Sequence, residues 1–206
     1  MRLHYRLGWT LARLISVLVF RVRVSGRENL PKEGGFILAL NHISYFDPPL
    51  AGSWVSRELY FFAKKELFKY RLFAAVLRSV NALPVKRGSV DRQAISLAVK
   101  AVNRGYGLTL FPEGTRSRTG DFLDPKSGVG MIARQSSCPI VPGYICGFND
   151  ARAAFFGRKR ARIVFGEPFP AGWVSSFSAE KDSYMAISKA IMARIEELRD
   201  KTLCLK

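Results

Sequence analysis

A histidine and an aspartate stand five positions apart in the segment Asn41–Asp47, in a chain that contains only two histidines. Imidazole, with an unperturbed pKa of about 6.5, can take a hydroxyl proton near neutral pH and return it later. A carboxylate bonded to the other ring nitrogen fixes the tautomer and stabilises the imidazolium formed during reaction. His42 and Asp47 are therefore predicted to be a general base and its orienting partner. The alternative is that Asp47 only caps a helix and that His42 is a polar loop residue.

A second cluster of polar residues follows the predicted buried strand Gly107–Phe111. Open α/β sheets bind ligands at the carboxyl ends of their strands, where this cluster would lie. Gly114 lets the backbone approach a ligand closely, and Thr115 adds a hydroxyl and an amide. Arg116 offers a planar fork of donors that matches phosphate oxygens. The cluster predicts an anion site.

Two adjacent cations, Lys86 and Arg87, end a strand-like run that begins at Asn81. They are candidates to complete the anion site, although such a pair is also common on solvated surfaces. A hydroxyl activated by His42 and Asp47 beside an anion held by arginine is the chemistry of acyl transfer to a phosphorylated alcohol.

The elements that must position these residues alternate between strands and helices. This order predicts an α/β domain with a largely parallel or mixed sheet covered by helices. We expect an amphipathic surface helix within residues 1–22 and the α/β domain at 23–206. The expected strands are Phe36–Leu40, Leu59–Ala63, Ala82–Val85, Leu108–Phe111, Ile140–Ile145 and Arg162–Gly166. The expected helices are Leu3–Leu18, Pro49–Val55, Glu66–Ser79, Val90–Asn103, Ser127–Gln135 and Lys181–Asp200.

Four blocks of the chain resemble those of the glycerolipid acyltransferases, typified by 1-acylglycerol-3-phosphate acyltransferase. In order, they are Asn41–Asp47, Asn81–Arg87, Phe111–Arg116 and Pro139–Pro142. Within the first and last blocks, Asn41, Ser44 and Pro142 support the match. Asn81 departs from the family pattern, which has glycine at that position, and this puts the shape of the acceptor pocket in doubt.

The resemblance also implies roles for individual residues. His42 would be the general base and Asp47 its partner, while Arg87 and Arg116 would bind phosphate. Glu113 and Gly114 would line the acceptor site. The implied reaction moves a fatty acyl group from acyl-CoA or acyl carrier protein to the hydroxyl of 1-acylglycerol 3-phosphate, which gives phosphatidic acid. Alternatives are another lyso-acceptor, such as glycerol 3-phosphate or a lyso-aminolipid, or a non-catalytic basic module that binds membranes or nucleic acid.

The net charge of +17, from 33 Lys and Arg against 16 Asp and Glu, predicts an anionic partner. Nucleic acid, anionic lipid and an acidic carrier protein all fit this charge. Neither zinc-finger spacing nor a recognition-helix pattern is legible, so nucleic acid is not expected. Three cysteines without CxxC spacing predict neither a disulfide framework nor a zinc site. No metal and no cofactor are expected.

Three segments favour an anionic membrane surface as the partner. Leu7, Leu11, Leu14 and Leu18 share one stripe of the first helix, as in interfacial helices. Arg13 interrupts the apolar run, so neither a membrane span nor a signal peptide is predicted.

The second segment mixes aromatic and cationic residues, with Phe61, Phe62, Phe68, Lys69 and Arg71 as its predicted membrane contacts. The third, residues 155–162, is densely basic. For each segment the alternative is that its apolar side chains pack on the core of the domain. The expected location is the cytoplasmic face of the membrane.

Overall fold

A seven-stranded mixed sheet forms the centre of the molecule. The computed structural model describes residues 1–86, 88, 90–149, 161–178, 180 and 182–204. Within these residues the strands are β1 Arg23–Ser25, β2 Phe36–Leu40, β3 Leu59–Lys64, β4 Ala82–Val85, β5 Gly107–Leu110, β6 Ile140–Cys146 and β7 Arg162–Phe165. The α-helices are α1 Leu3–Leu18, α2 Asp47–Gly52, α3 Arg71–Ser79, α4 Arg92–Asn103, α5 Ser127–Ser136 and α6 Asp182–Cys204. Short 3-10 helices cover Arg27–Asn29, Lys65–Lys69 and Trp173–Ser176.

The strands lie in the order β1-β7-β6-β2-β5-β3-β4. All neighbouring pairs are parallel except β6 and β7, which are antiparallel. β2 is central, and all five of its residues are buried. An uninterrupted apolar run of this kind suits a parallel strand that is covered on both faces. The sheet is therefore mixed, as the alternation of elements predicts.

The two faces of β2 belong to two different hydrophobic clusters. Ile37 and Ala39 face a cluster that includes Ile95 of α4, Ile132 of α5 and Ile191 of α6. Phe36, Leu38 and Leu40 face the other cluster, which includes Leu50 of α2 and Phe20 after α1. Because successive side chains of a strand point to opposite faces, this one strand fixes both layers of helices.

The observed elements differ from the expected ones in several places, and α6, for example, ends at Cys204 and not at Asp200. β1 was not expected, because three edge residues with one half-buried valine carry little pattern. The expected helix Glu66–Ser79 is divided into a 3-10 helix and α3, because Tyr70 has an extended backbone. α2 begins at Asp47 and ends at Gly52, earlier than expected. No helix among the described residues is long and apolar enough to cross a membrane.

Asn81 lies at the opposite end of the sheet from His42. It precedes β4 and has a left-handed backbone conformation, with φ at 65°. Glycine adopts this conformation freely and asparagine tolerates it. Its side chain bonds Glu58 and Arg2. Asn81 therefore stands at the amino ends of the strands, away from His42, and its effect on the acceptor pocket stays a prediction.

Candidate active site

His42 and Asp47 form a buried hydrogen-bonded pair at the carboxyl end of β2. Nδ1 of His42 lies 2.8 Å from Oδ2 of Asp47. The same carboxylate oxygen accepts the backbone N–H groups of Ile43 and Ser44, each at 2.7 Å. Because an ionised carboxylate only accepts hydrogen bonds, Nδ1 of the neutral ring carries the proton and Nε2 is left basic. Asp47 therefore orients the imidazole and also fixes the loop that carries it.

Phe111 and Asn41 hold this loop from two further directions. The ring of Phe111, which follows β5, stacks on the imidazole with centroids 4.0 Å apart. The side chain of Asn41 exchanges two hydrogen bonds with the backbone of Ile145 in β6. The loop after β2 is thus tied to both neighbouring strands, and the role of Asn41 is structural support.

The remaining residues of the matched blocks have structural contacts of their own. Oγ of Ser44 accepts the backbone N–H of Phe46 at 3.2 Å. Pro142 is buried within β6, in register with Ala39 of β2. Both residues therefore support the strand and loop that carry His42, and neither is seen to form part of a ligand site.

Glu113 is buried behind His42, with 1% of its surface exposed. Its Oε1 accepts the backbone N–H of His42 at 3.0 Å. Burial raises the pKa of this carboxyl group to about 7, and the nearby charge of Asp47 adds to the shift. The side chain of Glu113 therefore points into the protein and supports the backbone of His42, and its place in the acceptor site stays a prediction.

The loop after β5 is bonded directly to the loop after β2. The backbone N–H of Ser117 donates to the carbonyl of His42 at 2.8 Å. Gly114 is exposed and left-handed, with φ at 67°, and its N–H closes a turn onto the carbonyl of Phe111. Thr115 is exposed beside it. This bond and turn place the predicted anion-binding loop next to the base, as the adjacency of β2 and β5 requires.

Arg116 stacks on an aromatic residue that the sequence analysis did not single out. Its guanidinium carbon lies 3.3 Å from the ring centroid of Tyr45. Tyr45 belongs to the loop of His42, so the arginine spans from one loop to the other. The only signal in the sequence is that two aromatic residues, Tyr45 and Phe46, stand between His42 and Asp47, and the partner of Tyr45 cannot be read without the order of the strands.

Of the two adjacent predicted cations, Lys86 and Arg87, the structure describes only Lys86. Lys86 is exposed just after β4, and its backbone N–H donates to Asp91 at 3.0 Å. It therefore lies along the same edge of the sheet as His42, although β5 and β3 stand between their strands. Arg87 lies outside the residues that the structure describes.

The leucine stripe of α1 faces solvent. Leu7, Leu11, Leu14 and Leu18 are all more than half exposed. The opposite side of the helix packs on the domain, where Trp9 donates to the carbonyl of Val55 and Trp54 donates to Ser16. Packing on the core therefore uses a different face from the leucines, and the stripe remains available for a membrane.

The aromatic and cationic segment is less uniformly exposed than expected. Phe61 and Phe62 are half-buried within β3, and Phe62 packs against the main core cluster. Phe68 is also half-buried, whereas Lys69 and Arg71 are exposed. The most exposed apolar side chains of this region are instead Tyr70 and Leu72. In the third segment, residues 155–160 lie outside the described residues.

A cavity of about 540 Å³ lies away from this site. It is lined by residues at the amino ends of the strands, among them Arg2, Arg57 and Glu58. Arg2 pairs with Glu58, and Arg57 donates to the carbonyls of Gly34 and Gly105. These contacts join loops to one another, so the cavity is bordered by structural interactions.

Comparisons with known proteins relate the chain to acyltransferases. The chain is 29% identical over 181 residues to the 1-acyl-sn-glycerol-3-phosphate acyltransferase of Bacillus subtilis, covering 87% of this chain and 89% of that protein. It is 34% identical over 155 residues to the lyso-ornithine lipid O-acyltransferase of Pseudomonas aeruginosa, covering 72% of this chain and 58% of that protein.

A solved structure has a similar fold. The crystal structure of the 1-acyl-sn-glycerophosphate (LPA) acyltransferase PlsC from Thermotoga maritima superimposes with a TM-score of 0.69 at 28% identity, and the match covers 97% of this chain and 84% of that one. The profile of the Acyltransferase family matches residues 21–146, which contain the loops of both His42 and Arg116. The chain therefore belongs to the acyltransferase family.

Proposed function

We propose that this enzyme transfers a fatty acyl group from a thioester to the free hydroxyl of 1-acylglycerol 3-phosphate and so forms phosphatidic acid. The observation that carries the proposal is the joined pair of loops, which sets the His42–Asp47 pair beside Arg116. A base next to a phosphate-binding cation suits an acceptor with a hydroxyl and a phosphate. Both the Bacillus subtilis and the Thermotoga maritima relatives are named for such acceptors.

In the proposed mechanism Nε2 of His42 removes the proton of the acceptor hydroxyl as its oxygen attacks the thioester carbonyl. Asp47 stabilises the imidazolium that forms. The tetrahedral intermediate collapses, the C–S bond breaks, and the imidazolium returns its proton to the departing thiolate. The products are an ester and a free thiol. Because the thioester is already activated, the enzyme needs no covalent intermediate.

The acyl donor in this proposal is acyl-CoA or acyl carrier protein. The net charge of +17 favours either donor, because CoA carries phosphates and the carrier protein is expected to be acidic. A competition assay with both donors at equal concentration measures the preference directly.

A second acceptor, a lyso-aminolipid, is supported by the likeness to the lyso-ornithine lipid O-acyltransferase. Such an acceptor contains ornithine rather than glycerol 3-phosphate. The role of Arg116 separates the two candidates, because a cation that binds phosphate contributes less to an acceptor that has none. The first candidate is preferred because the first relative covers more of both chains.

We also propose that the enzyme works at the cytoplasmic face of the membrane, bound to the surface. The support is the exposed stripe of leucines on α1, at 64% exposed for Leu7 and 71% for Leu18. A helix with one apolar face and basic residues beside it lies in the plane of the interface. This position would bring the active site to an acceptor that is itself in the bilayer.

The test is an acceptor panel with purified protein in detergent micelles, in which release of free thiol is followed. The panel contains 1-acylglycerol 3-phosphate, glycerol 3-phosphate, a lyso-ornithine lipid and a blank without acceptor. We expect the fastest release with 1-acylglycerol 3-phosphate, together with phosphatidic acid in the product by mass spectrometry. Faster release with the lyso-ornithine lipid would favour the second candidate. Thiol release that is the same without any acceptor would contradict transfer altogether.

A further inference from the structure

Tyr45 and Arg116 make a stacked contact at the mouth of the active site. At 3.3 Å from the ring centroid, the guanidinium lies over the face of the ring. Tyr45 is 77% exposed, and Arg116 is half-buried. In a stacked guanidinium the ring covers one face, while the N–H groups lie in the plane and bind ligands at its edges. The contact therefore restrains the arginine without using the donors that bind phosphate.

The position of Tyr45 depends on the same carboxylate that orients the base. Asp47 accepts the N–H groups of Ile43 and Ser44 immediately before Tyr45, and Oγ of Ser44 accepts the N–H of Phe46 immediately after it. The backbone on both sides of the tyrosine is thus held by hydrogen bonds. Because the loop is restrained, the exposed Tyr45 ring can hold a neighbouring cation in a fixed position.

The backbone next to Arg116 is also restrained by a hydrogen bond. The next residue, Ser117, donates its N–H to the carbonyl of His42. The backbone of Arg116 is therefore fixed relative to the base, and the Tyr45 ring fixes the far end of the side chain. An arginine restrained before binding loses less rotamer freedom when it binds phosphate.

We infer that Tyr45 is a positioning residue for the acceptor, because its ring holds the Arg116 guanidinium at a set place relative to His42. A phosphate bound there brings the acceptor hydroxyl to the base in one preferred orientation. This inference rests on the proposed function and adds to it a residue that acts through Arg116. The phenolic hydroxyl has no part in it, so phenylalanine serves equally well at position 45.

The first test compares Tyr45→Ala with Tyr45→Phe in steady-state kinetics on 1-acylglycerol 3-phosphate. We expect Tyr45→Ala to raise the acceptor KM about two- to fivefold, as expected for loss of an exposed cation–π contact. The donor KM and kcat should change less. Tyr45→Phe should restore the acceptor KM to near the wild-type value. Thermal unfolding of both variants checks that they fold, which is expected because the side chain is exposed.

The second test places Tyr45→Ala in an Arg116→Ala background. If the tyrosine acts through the arginine, the acceptor KM of the double variant equals that of Arg116→Ala alone. Transfer to a monoacylglycerol, which lacks the phosphate, should be unaffected by Tyr45→Ala. A Tyr45→Ala effect that persists without Arg116, or a Tyr45→Phe variant as impaired as Tyr45→Ala, would overturn the inference. Wild-type protein that transfers to no phosphorylated acceptor would instead overturn the proposed function, and the inference with it.

Discussion

In the proposed mechanism His42 is the residue on which the chemistry depends most directly. One ring nitrogen is committed to Asp47 and one ring face to Phe111, so the imidazole presents Nε2 in a single orientation. We predict that His42→Ala folds but turns over roughly two to four orders of magnitude more slowly, because general-base assistance contributes about that much. Asp47→Asn should be nearly as harmful, since an amide can hold the wrong tautomer. Single-turnover thiol release measures both.

The second histidine provides the control for this measurement. His4 is exposed on α1, distant in sequence from the matched blocks. His4→Ala should keep the wild-type rate of transfer. A folded His42→Ala variant with a rate close to that of His4→Ala would contradict the assignment of the base.

Arg116 should act on the acceptor and not on the donor. We predict that Arg116→Ala lowers kcat/KM for 1-acylglycerol 3-phosphate by roughly 1.5 to 3 kcal/mol, as for a lost charge-assisted hydrogen bond. The KM of the acyl donor should change less. Arg118→Ala is the matched control, because Arg118 is an exposed arginine two residues further along the same loop. Equal losses in the two variants would mean that general positive charge, and not a phosphate contact, is responsible.

Arg87→Ala extends the same measurement to the second arginine that is predicted to bind phosphate. If Arg87 binds the phosphate, its loss should also raise the acceptor KM and leave the donor KM less changed. Lys86→Ala provides the neighbouring comparison, since Lys86 is exposed just after β4. An acceptor KM that responds to neither substitution would remove the second block from the anion site.

Glu113 should make stability depend on pH. Its pKa is raised from 4.5 to about 7 in the folded protein. The folded state therefore holds this proton more tightly than the unfolded state, and the free energy of unfolding falls as pH rises through that interval. The loss amounts to roughly 2 to 3 kcal/mol by pH 7.5, from the size of the shift. Urea unfolding between pH 4.5 and 7.5 measures it.

Glu113→Gln removes the titrating proton but keeps an oxygen that can accept the N–H of His42. The variant should therefore lose this part of the pH dependence, while Glu167→Gln, on an exposed loop residue, should keep it. Buried Glu58 and half-buried Asp91 have lowered pKa values and affect stability with the opposite sign at lower pH. The difference between wild type and Glu113→Gln isolates Glu113. An unchanged pH slope in that variant would contradict the prediction.

Contacts within one loop were predictable from the sequence, and contacts between loops were not. The pairing of His42 with Asp47 needs only five residues and one chain reversal. The bond from His42 to Glu113 joins a backbone N–H to a side chain 71 positions away. A sequence can suggest a carboxylate near an active site, but it does not say that the carboxylate turns inward. The stacking of Arg116 on Tyr45 also joins two loops, so the sequence did not predict it.

At the scale of the elements, the position of the site follows from the place of β2 in the sheet. β2 pairs in parallel with β5, and Ala39 is in register with Leu110, so the loops that follow these strands emerge side by side. Six of the seven strands were predictable from their apolar runs, and β1 was not. Their order was not, because pairing is a long-range property that local pattern does not encode. β4 lies two strands beyond β5. Lys86 therefore shares the edge of the sheet with His42 but is separated from it by two strands.

α1 has one face that packs on the domain and one exposed face that is the proposed membrane contact, and this determines how the proposal should be tested. Deleting residues up to Phe20 would remove more than a membrane contact, because Phe20 is 1% exposed in the core and Tyr5 accepts the backbone N–H of Leu59. Substitution of the exposed stripe avoids that damage. The packing face, with Trp9 and Ser16, remains intact in such a variant.

We predict that Leu7→Ser, Leu11→Ser and Leu14→Ser together leave the fold stable and reduce binding to vesicles. Each leucine is more than half exposed, and an apolar side chain transferred into the bilayer contributes on the order of 1 to 2 kcal/mol. Activity on a long-chain acceptor in vesicles should fall, while activity on a short-chain soluble acceptor should change little. Cosedimentation and the two assays measure these effects.

A variant with Leu97→Ser and Met185→Ser controls for loss of exposed apolar surface elsewhere. Leu97 lies on α4 and Met185 on α6, and both are about one third exposed. This variant should bind vesicles as the wild type does. Equal loss of binding in both variants, or none in the α1 variant, would show that the leucine stripe is not the membrane contact.

At the scale of the whole molecule, the net charge of +17 favours an anionic partner, and the proposed partner is an anionic membrane surface. We predict that cosedimentation requires anionic lipid and weakens at least tenfold when salt rises from 0.1 to 1 M. Each Lys or Arg near an anionic membrane contributes about 1 kcal/mol, and the Debye length falls from about 10 Å to about 3 Å over that range. Nucleic acid is the competing partner for the same charge, so increasing DNA or RNA should be titrated against the vesicles. Weak, sequence-independent competition that disappears with salt fits the proposal. Binding equal for neutral and anionic vesicles, or tight and sequence-dependent binding of nucleic acid, would show that the charge serves another partner.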